Sequence, residues 1–551
     1  MYGPGMTIPE VSNRRLVFVA FAGAALLATV GPSAISCGSS KGGSAFVATS
    51  DGGLTADSEG PPACPSAKTA CNGVCVDTTN DPANCGGCGT TCGSNALCCS
   101  AVCVETATCA FAVTGVSPLQ PDQHSGNQNG GDYFTVTGAG FVPGMQVYIG
   151  DGACPARTLD AQHATIQTPP GPVGTQDVKI VAAAGTATLP SGFRYTASGL
   201  LQPWQEKPMS VVRGEDPALA VLQDGRVLIA GGTTVPDHAE NALTSAEIYT
   251  RSTDTVTSAA NAMSVTRWHD GAITMLTGKV LVVGGAQASI LADVFDPSTN
   301  AFSPTLSQLN TARSYVRSIL MVDGRVMIAS ASAQTAEIYD PDKGSFSQIP
   351  LQATHTFGFI VRLRDGRIML GGGDGGSVTN PSSTAVEIFD PAKGAFKMAG
   401  GMLQGRSMLT AHTLPDGRVM VIGGSSFTAG GVHAPLAEVE FYDPKTDAWT
   451  VAPFTLTTGR TWHASALVRD GTVIVMGGYN VDKTCTPTNT VDQIDPVKGT
   501  VTVFAALPHP NTEWTAVTLL DGSVLGVGGG ACGTPLALPD IDFLPGAPSQ
   551  Q

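Results

Sequence analysis

Arginine recurs at one position of this 551-residue chain, ten residues ahead of a repeated turn. Counted back from each turn Asp, or from the equivalent Thr277, the position holds Gly214, Arg267, Arg313, His355, Arg406, Arg460 and Asn511. Guanidinium groups bind carboxylates and sulfates through two parallel hydrogen bonds, so a ring of arginines could hold acidic or sulfated sugars. The arginines could instead pair with acidic residues of adjacent repeats, and the sequence leaves both interpretations open.

Aromatic and ionisable side chains stand close to the same position. They are Trp268, His269, Tyr315, His355, Trp462, His463, Glu513 and Trp514. Aromatic faces could stack on sugar rings, or the side chains could fill a tapering channel. Together with the arginines they are the predicted ligand-binding residues of a funnel.

Motifs for other chemistry are missing from the sequence. There is no Gly-x-Ser-x-Gly, no His-Glu-x-x-His and no phosphate-binding loop. The glycine-rich "GGGDGGSVTN" from Gly371 follows a strand and opens a loop, so it cannot place a phosphate on a helix N-terminus. We therefore predict no catalytic residue, no metal ligand and no cofactor.

The turn belongs to a unit that recurs seven times between residues 199 and 546, about 50 residues apart. Each copy has a short apolar strand, an Asp-Gly turn, a second strand ending on glycines, and a third strand ending near Asp-Pro, as in "PDGRVMVIGG" and "VEFYDP". Asp-Gly favours a two-residue type I′ hairpin, and Pro ends the third strand. The pattern predicts an all-β fold with a seven-bladed propeller of four-stranded blades. The segment "LLQPWQEKPM" supplies the fourth strand of the last blade and closes the ring.

This pattern of double glycine, Tyr-Asp and a later aromatic residue resembles kelch repeats. Galactose-oxidase-like copper enzymes use the same scaffold, and the resemblance implies a Tyr-His pair, a tyrosine cross-linked to cysteine, and a His from a later domain. Here the pair is Trp462-His463, Tyr315 stands at a matching position without a nearby cysteine, and the chain ends after the last repeat. We therefore expect no copper oxidase activity, while an enzyme with a divergent funnel site remains the alternative.

The loops joining the second and third strands are long and dissimilar, and variable loops on a rigid scaffold are common binding surfaces. Cys485 and Cys532 fall in two such loops of neighbouring blades. We predict a disulfide bond between them.

Residues 110–197 alternate apolar and polar positions in short runs broken by turn residues, which predicts an antiparallel sandwich. The runs "GGDYFTVTGAGFVPGMQVYIGD" and "GFRYT" resemble an IPT/TIG immunoglobulin-like domain. No ionisable cluster converges here, so the domain is interpreted as a spacer or docking module.

Ten cysteines crowd into residues 64–109, a segment too poor in large apolar residues to form its own core. Cys85-x-x-Cys88 has zinc-like spacing, but the segment has no His and an exported chain favours disulfides. The stretch "DPANCGGCG" resembles the cysteine-rich module of stigma-specific-like proteins, which implies disulfides and no chemistry. Residues 38–63 are a Gly/Ser/Ala/Asp-rich flexible linker.

Residues 1–37 have the form of an export signal: paired arginines, an apolar run and then small residues. The stretch "SAISCGSS" resembles a lipobox, which implies lipidation of Cys37 and an outer-membrane or cell-surface lipoprotein; secretion or a periplasmic location is the alternative. The formal charge of −15 argues against nucleic acid as a partner. We predict a monomeric surface protein that binds an extracellular protein or a glycan and meets the membrane only through its anchor.

Overall fold

The fold is all-β, as the repeat pattern predicts. A computed structural model describes residues 69–71, 74–76, 78, 83–85, 87–93, 97–99, 102–104, 111–120, 125–197, 201, 204–235, 239–285, 289–329, 334–373, 381–427, 433–480, 487–530 and 540–544. Within these ranges the one helical segment is a 3-10 turn, Ala239–Asn241, and no helix has the length and apolarity to cross a membrane. Cys37, Cys485 and Cys532 lie outside the described residues, so the lipidation site and the loop disulfide stay predictions.

The cysteine-rich segment forms two small hairpins. Their strands are β1 (Thr69–Cys71), β2 (Val74–Val76), β3 (Leu97–Cys99) and β4 (Val102–Val104). Cys71 and Cys88 form a disulfide bond that spans 17 residues of sequence. Cys88 is therefore held by a disulfide, which favours that interpretation of the segment over a zinc site.

Residues 111–197 form a two-sheet sandwich, here called the sandwich domain. Its strands are β5 (Ala112–Pro118), β6 (Gly126–Asn127), β7 (Tyr133–Ala139), β8 (Gln146–Ile149), β9 (Gly152–Cys154), β10 (Ala156–Thr158), β11 (His163–Gln167), β12 (Gly174–Ala182) and β13 (Gly185–Thr196). The sheet orders are β10-β11-β7-β5 and β6-β13-β12-β8-β9. Alternate residues such as Val136, Ile149, Ile166 and Val178 meet in one core between the sheets.

Residues from 205 onward form seven four-stranded antiparallel sheets. Blade 1 has β15 (Ala218–Val221), β16 (Val227–Ala230), β17 (Ala246–Thr250) and β18 (Thr255–Ser258); blade 2 has β19 (Gly271–Thr274), β20 (Val280–Val283), β21 (Ala292–Asp296) and β22 (Ala301–Pro304); blade 3 has β23 (Arg317–Leu320), β24 (Val326–Ala329), β25 (Thr335–Asp340) and β26 (Ser345–Pro350); blade 4 has β27 (Phe359–Arg362), β28 (Ile368–Gly371), β29 (Val386–Asp390) and β30 (Ala395–Met398). Blade 5 has β31 (Thr410–Thr413), β32 (Val419–Ile422), β35 (Glu438–Asp443) and β36 (Ala448–Thr455), with the hairpin β33 (Ser425–Phe427) and β34 (His433–Pro435) in a loop; blade 6 has β37 (Ala464–Leu467), β38 (Val473–Met476), β39 (Val491–Asp495) and β40 (Thr500–Val503); blade 7 has β41 (Thr512–Thr518), β42 (Val524–Gly530), β43 (Asp540–Leu544) and β14 (Gln205–Pro208).

The sheets form a closed ring. The first strands of successive blades contact one another in order, and β41 of blade 7 contacts β15 of blade 1. As predicted, the N-terminal strand β14 completes the last blade by pairing with the C-terminal strand β43. The second strands are buried over their whole length in the first six blades, because both faces of each sheet pack against neighbouring blades. Their sequences are therefore continuously apolar rather than alternating.

The Asp-Gly turns differ in type from the prediction. In blade 1, Gly225 N–H donates to Leu222 O at 3.0 Å and has a φ of 84°, while Asp224 stays out of the left-handed region. This geometry is a type I turn followed by a left-handed glycine, and not a type I′ turn. Asp224 Oδ1 accepts from the N–H of Arg226 at 3.1 Å, which is a contact that Asp supplies at this position.

The sandwich domain is docked on the propeller, at the face that carries these turns. Ala153 N–H donates to Arg364 O at 2.7 Å, and Gln128 Nε2 donates to Arg469 O at 2.7 Å. The buried Tyr133 hydroxyl reaches Thr274 O at 3.3 Å, at the turn-side end of an innermost strand. The sandwich domain therefore covers the turn-side end of the axial channel and is not a free spacer.

Candidate functional site

The recurrent arginines are buried and do not line the funnel. Each is fully shielded from solvent and pairs with a carboxylate on the third strand of its own blade. The pairs are Arg213–Glu247 at 3.0 Å, Arg267–Asp293 at 2.7 Å, Arg313–Glu337 at 3.0 Å, Arg406–Glu440 at 2.5 Å and Arg460–Asp492 at 3.1 Å. The predicted ring of ligand-binding arginines is therefore wrong, and so is the alternative of pairing between blades.

The arginine also contacts a glycine that follows the second strand, which explains why it stands at a fixed distance from the turn. Arg460 Nη1 donates to the carbonyl oxygen of Gly477, the first glycine after the second strand, at 3.1 Å. His355 takes the arginine position of blade 4, with Nε2 on Glu387 at 2.9 Å and Nδ1 on Gly372 O at 2.9 Å. In blade 7, Asn511 makes the carbonyl contact, at 3.1 Å to Gly528 O. The arginines and His355 tie the first, second and third strands of a blade together, and Asn511 ties the first strand to the second.

In blade 1, counting ten residues back from the turn Asp reaches Gly214, whereas the arginine that forms the ion pair is the preceding residue. Arg213 makes the ion pair, one residue earlier, because the segment between it and the first strand is longer by one residue. The signal that could have identified it is the adjacent arginine itself. Desolvation lowers the pKa of Arg213, Arg406 and Arg460, and the paired carboxylates oppose that shift.

The residues that do surround the axis come two positions after the counted column. This mouth ring consists of one residue from each blade: Asp216, His269, Tyr315, Phe357, Met408, Trp462 and Glu513. All have a left-handed backbone, with φ between 36° and 57°. Non-glycine residues rarely adopt this conformation, and each instance costs about 1–3 kcal/mol.

Backbone hydrogen bonds join members of the mouth ring to one another. Asp216 N–H donates to Glu513 O at 2.9 Å, and Glu513 N–H donates to Trp462 O at 3.1 Å. Trp462 N–H donates to Met408 O at 3.3 Å, and Met408 N–H donates to Phe357 O at 2.8 Å. The left-handed conformation is thus fixed by contacts between blades, which aligns the side chains at the axis.

Aromatic members of the ring pack on one another. The ring centroids of His269 and Tyr315 are 4.4 Å apart, those of Tyr315 and Phe357 4.5 Å, and those of Phe357 and Trp462 5.4 Å. His269 and Trp462 are 6.2 Å apart although they belong to blades 2 and 6. Trp268 packs outside this group, 4.5 Å from His269. Part of the mouth is therefore filled by aromatic rings.

Carboxyl groups with contrasting environments lie beside His269. Asp216 Oδ2 is 2.8 Å from His269 Nδ1. Burial alone would raise the pKa of Asp216, but the hydrogen bond and the charge of His269 outweigh that effect, so the pKa lies below its usual value. The next residue, Asp270, is buried, and neither of its carboxylate oxygens has a hydrogen-bond partner among the described residues. Burial raises the pKa of Asp270 to about 7, so this carboxyl is partly protonated at neutral pH.

Below the ring lies a cavity of about 300 Å³, here called the mouth cavity. Of the predicted residues, Trp462, His463, Glu513 and Trp514 line it, whereas Trp268, His269, His355 and the arginines of the column do not. Tyr315 and His355 line a smaller adjoining space. The prediction missed Asp216, Phe357 and Met408 of the mouth ring and, on the first strands, Arg317 and His412. It selected aromatic and ionisable residues near the counted column and did not follow one position through all seven repeats.

Burial lowers the pKa of His463 to about 3, so its imidazole is neutral, which is the form that binds metals. Its Nε2, however, lies 3.0 Å from Thr410 Oγ1. Trp462 supplies no oxygen donor, and Tyr315 packs between His269 and Phe357. Across the described residues, no three His, Cys, Asp or Glu side chains converge in a metal-binding arrangement. The residues present do not fit a copper centre.

The ring of radial sheets and the docked sandwich define a β-propeller protein with an immunoglobulin-like domain. The model for the IPT/TIG domain matches residues 112–196, and the model for the Kelch motif matches residues 409–453 and 463–508. The chain therefore carries an IPT/TIG domain and kelch motifs, as the sequence patterns predict.

Two solved structures are reported as matches, and only the first has a TM-score that supports similarity of fold. One is described as a novel fungal alcohol oxidase with catalytic diversity among the AA5 family, in complex with copper; it has 16% identity and a TM-score of 0.50, over 63% of this chain and 76% of the oxidase. The other is the structure of YjhT, with 12% identity and a TM-score of 0.39, over 61% of this chain and 95% of YjhT. No curated protein matches the chain. At 16% identity, the similarity to the oxidase shows the fold alone.

Proposed function

We propose that this chain is an exported binding protein of the cell surface, and that the mouth of its propeller binds an extracellular protein or a glycan. The observation that carries the proposal is the mouth ring, in which bulky side chains occupy a backbone conformation that glycine adopts more easily. Strain of this kind persists where the surrounding structure enforces it, and it is frequent at ligand sites.

The chemistry of the mouth suits a ligand with a flat apolar face and polar edges. Trp462, Phe357 and Met408 give the mouth cavity aromatic and thioether surface, while Glu513 adds a carboxylate. Aromatic rings supply contact area at a small cost in conformational entropy, and polar groups at the rim fix orientation. The sandwich domain covers the opposite, turn-side face, which leaves the mouth face and its variable loops for a partner.

The test is binding of the purified full chain to arrays of glycans and of surface proteins. Trp462→Ala should weaken binding of any captured ligand by at least about tenfold, since interface aromatic residues often contribute 2 kcal/mol or more. Leu306→Ala is the matched control, because Leu306 is 90% exposed on the outside of a blade. Equal affinity of the two variants would place the binding site elsewhere.

A metal assay separates this proposal from a copper enzyme. Stoichiometric copper in the purified protein, lost in His463→Ala, would contradict a function limited to binding. We expect the copper content of the natural chain and of His463→Ala to be equally low, because no three potential metal ligands converge in the described part of the chain and Trp462 stands where a Tyr would precede the histidine.

Export and anchoring form a separate part of the proposal and rest on the sequence of residues 1–37. Cells that express the chain are labelled with a lipid precursor and fractionated. The natural chain should carry the label and sediment with membranes, and Cys37→Ser should lose both properties. Label on the Cys37→Ser variant would rule out this cysteine as the anchor.

A further inference from the structure

The mouth cavity contains a guanidinium group whose donors are not used by the protein. Arg317 begins β23 of blade 3, is exposed, and lines both the mouth cavity and the smaller space beside it. Within the described part of the chain, its side chain makes neither a hydrogen bond nor an ion pair. By contrast, the five buried arginines each bind a carboxylate, and Arg325 pairs with the turn residue Asp323. The donors of Arg317 are therefore available to a ligand.

A carboxylate with one unused oxygen lines the same cavity. Asp216 Oδ2 is held by His269 Nδ1 at 2.8 Å, and no group of the described residues contacts Oδ1. Burial raises the pKa of Asp216, but His269 and then the charge of Arg317 lower it, so that the pKa lies below its usual value. The charge of Arg317 thus acts on Asp216 although the two side chains form no ion pair. Opposite charges face one space across a gap.

The remaining ionisable groups on the wall decide which ligand charge this space accepts. Glu513 adds a second carboxylate to the wall of the mouth cavity. His412 and His463 also line the cavity and are neutral, because burial lowers their pKa values to about 4 and about 3. An anion alone would meet two carboxylates beside one guanidinium, and a cation alone would leave the guanidinium unpaired. A ligand that carries both charges matches the wall at both points.

The rest of the lining sets the size and the polarity of the ligand. Phe357, Met408, Trp462 and Trp514 give the wall a large apolar surface. The volume of about 300 Å³ lies at the lower end of the range of about 300–1,000 Å³ that is common for ligand pockets. The cavity therefore suits one small molecule with an apolar part, and it is too small for a sugar chain or a folded protein.

We infer that the mouth cavity binds a zwitterionic α-amino acid group with an apolar side chain, its carboxylate on Arg317 and its ammonium on Asp216. Guanidinium–carboxylate and ammonium–carboxylate pairs are charge-assisted hydrogen bonds, and Phe357 and Trp462 offer ring faces to the apolar part. The inference rests on the proposed function, because it names the chemical group that enters the mouth. That group belongs to a free amino acid or to the amino acid part of a larger surface ligand.

The experiment is calorimetric titration of the purified full chain with phenylalanine and leucine, and with the amide and the N-acetyl derivative of each. The amide lacks the carboxylate charge and the N-acetyl derivative lacks the ammonium charge. We expect at least one of the two amino acids to bind with a stoichiometry of one, and both of its derivatives to bind at least about tenfold more weakly. An amide or an N-acetyl derivative that binds as tightly as its parent amino acid would overturn the inference.

Substitution of the guanidinium tests the assignment of the carboxylate. Arg317→Gln should weaken binding of the amino acid by at least about tenfold, and it should abolish the preference for the amino acid over its amide. Arg325→Gln is the matched control, because Arg325 is a propeller arginine outside the mouth cavity, and its affinity should equal that of the natural chain. Equal affinity of Arg317→Gln and the natural chain would overturn the inference.

Substitution of the carboxylate tests the assignment of the ammonium and needs a second readout, because Asp216 also holds His269. Asp216→Asn should lose the preference for the amino acid over its N-acetyl derivative, at a temperature where circular dichroism shows the variant folded. If Asp216→Asn lowers only the melting temperature and leaves the affinity unchanged, its role is structural and the inference fails.

Failure of this inference can be told apart from failure of the proposed function. If neither amino acid binds while the arrays capture a ligand that is lost in Trp462→Ala, the inference is wrong and the proposed function stands. If an amino acid binds while the arrays capture nothing, the cavity has the inferred chemistry and the proposed surface partner is wrong.

Discussion

Arg460 donates through Nη2 to Asp492 at 3.1 Å and through Nη1 to the carbonyl oxygens of Gly477 and Thr490, with no surface exposed to solvent. One side chain thereby connects three strands of blade 6. A charge buried this completely is tolerated only while its partners remain, because neither the guanidinium nor the carboxylate can return to water without opening the blade.

Removal of this charge should be far more harmful than removal of an exposed one. Arg460→Gln is expected to lower the free energy of unfolding by about 3–5 kcal/mol, because it strands Asp492 in the interior. Arg325→Gln, which breaks a half-exposed pair with the turn residue Asp323, should cost less than about 1 kcal/mol. Urea denaturation of both variants measures the difference, and equal midpoints would contradict the structural role of the buried pair.

His463 gives stability a dependence on pH. Burial lowers its pKa in the folded protein to about 3, below the unfolded value of 6.5, so the unfolded chain binds the proton first as the pH falls. Stability should therefore be lost below pH 6.5, by about 2 kcal/mol at pH 5 from this group. In His463→Gln the loss of stability between pH 7 and pH 5 should be smaller by that amount.

The control for this prediction is Leu306→Ala, which changes an exposed side chain that does not titrate. Its loss of stability between pH 7 and pH 5 should match that of the natural chain. If His463→Gln shows the full loss as well, the acid sensitivity arises elsewhere in the protein.

The residue scale is also where the sequence predictions were weakest. Arginine at a repeated position indicates a repeated environment. The sequence around it cannot distinguish a buried ion pair from a ligand contact, because the partner lies some 30 residues away on another strand. The residues of the mouth ring share no residue type, so no motif marks them. What they share is a left-handed backbone conformation, and this is visible only in three dimensions.

At the scale of elements, blade 7 carries a compensating pair of residues. The third residue of the second strand is a buried Ile, Val or Leu in the first six blades, and it is Gly526 in blade 7. A Cβ atom on Gly526 would lie 2.2 Å from Cζ3 of Trp514. The indole of Trp514 thus fills the space that a strand residue occupies in the other blades.

This pair predicts strong coupling between two substitutions. Gly526→Val should lower the free energy of unfolding by about 1–3 kcal/mol, because the new side chain clashes with the indole. Combining it with Trp514→Ala should cost less than the sum of the single changes, by about 1–2 kcal/mol. A double-mutant cycle in urea tests this, and strict additivity would show that the two side chains do not compete for one space.

The strands and the turns between them were predicted well because residue types within each repeat mark where they begin and end. Asp-Gly marks the turn between the first and second strands, and glycine and proline mark the ends of the second and third strands. The turn type was wrong, since the same dipeptide also suits a type I turn followed by a left-handed glycine such as Gly225. The closing strand β14 was predicted from the count of strands and not from its own sequence.

At the scale of the whole molecule, the sandwich domain and the propeller share an interface that no sequence pattern predicted. Asn129 Nδ2 donates to Val468 O, next to the contact of Gln128 with Arg469 O. Tyr133 of the sandwich packs into a hydrophobic cluster with Leu276 and Leu320 of the propeller. Because most of the hydrogen bonds use backbone groups of the turns, their partners cannot be identified by residue type.

Docking of this kind should make the two domains unfold together. We expect one calorimetric transition for the propeller and sandwich in the natural chain, and two in the double variant Gln128→Ala/Asn129→Ala, with the sandwich melting first. Gln146→Ala is the control, because Gln146 is exposed on the sandwich and bonds only Tyr148 of its own domain. Two transitions in the natural chain would show that the interface does not couple the domains.

The mouth ring has a consequence for the evolution of such a protein. Seven positions on one circle share a backbone geometry that the blades impose, while their side chains range from carboxylate to indole. A substitution there changes one sector of the proposed binding surface without rebuilding any strand. Because His269, Tyr315, Phe357 and Trp462 pack on one another, a change at one of these positions would be felt by its neighbours. Relatives of this chain could therefore differ in the side chains of the mouth ring while their blades remain superimposable.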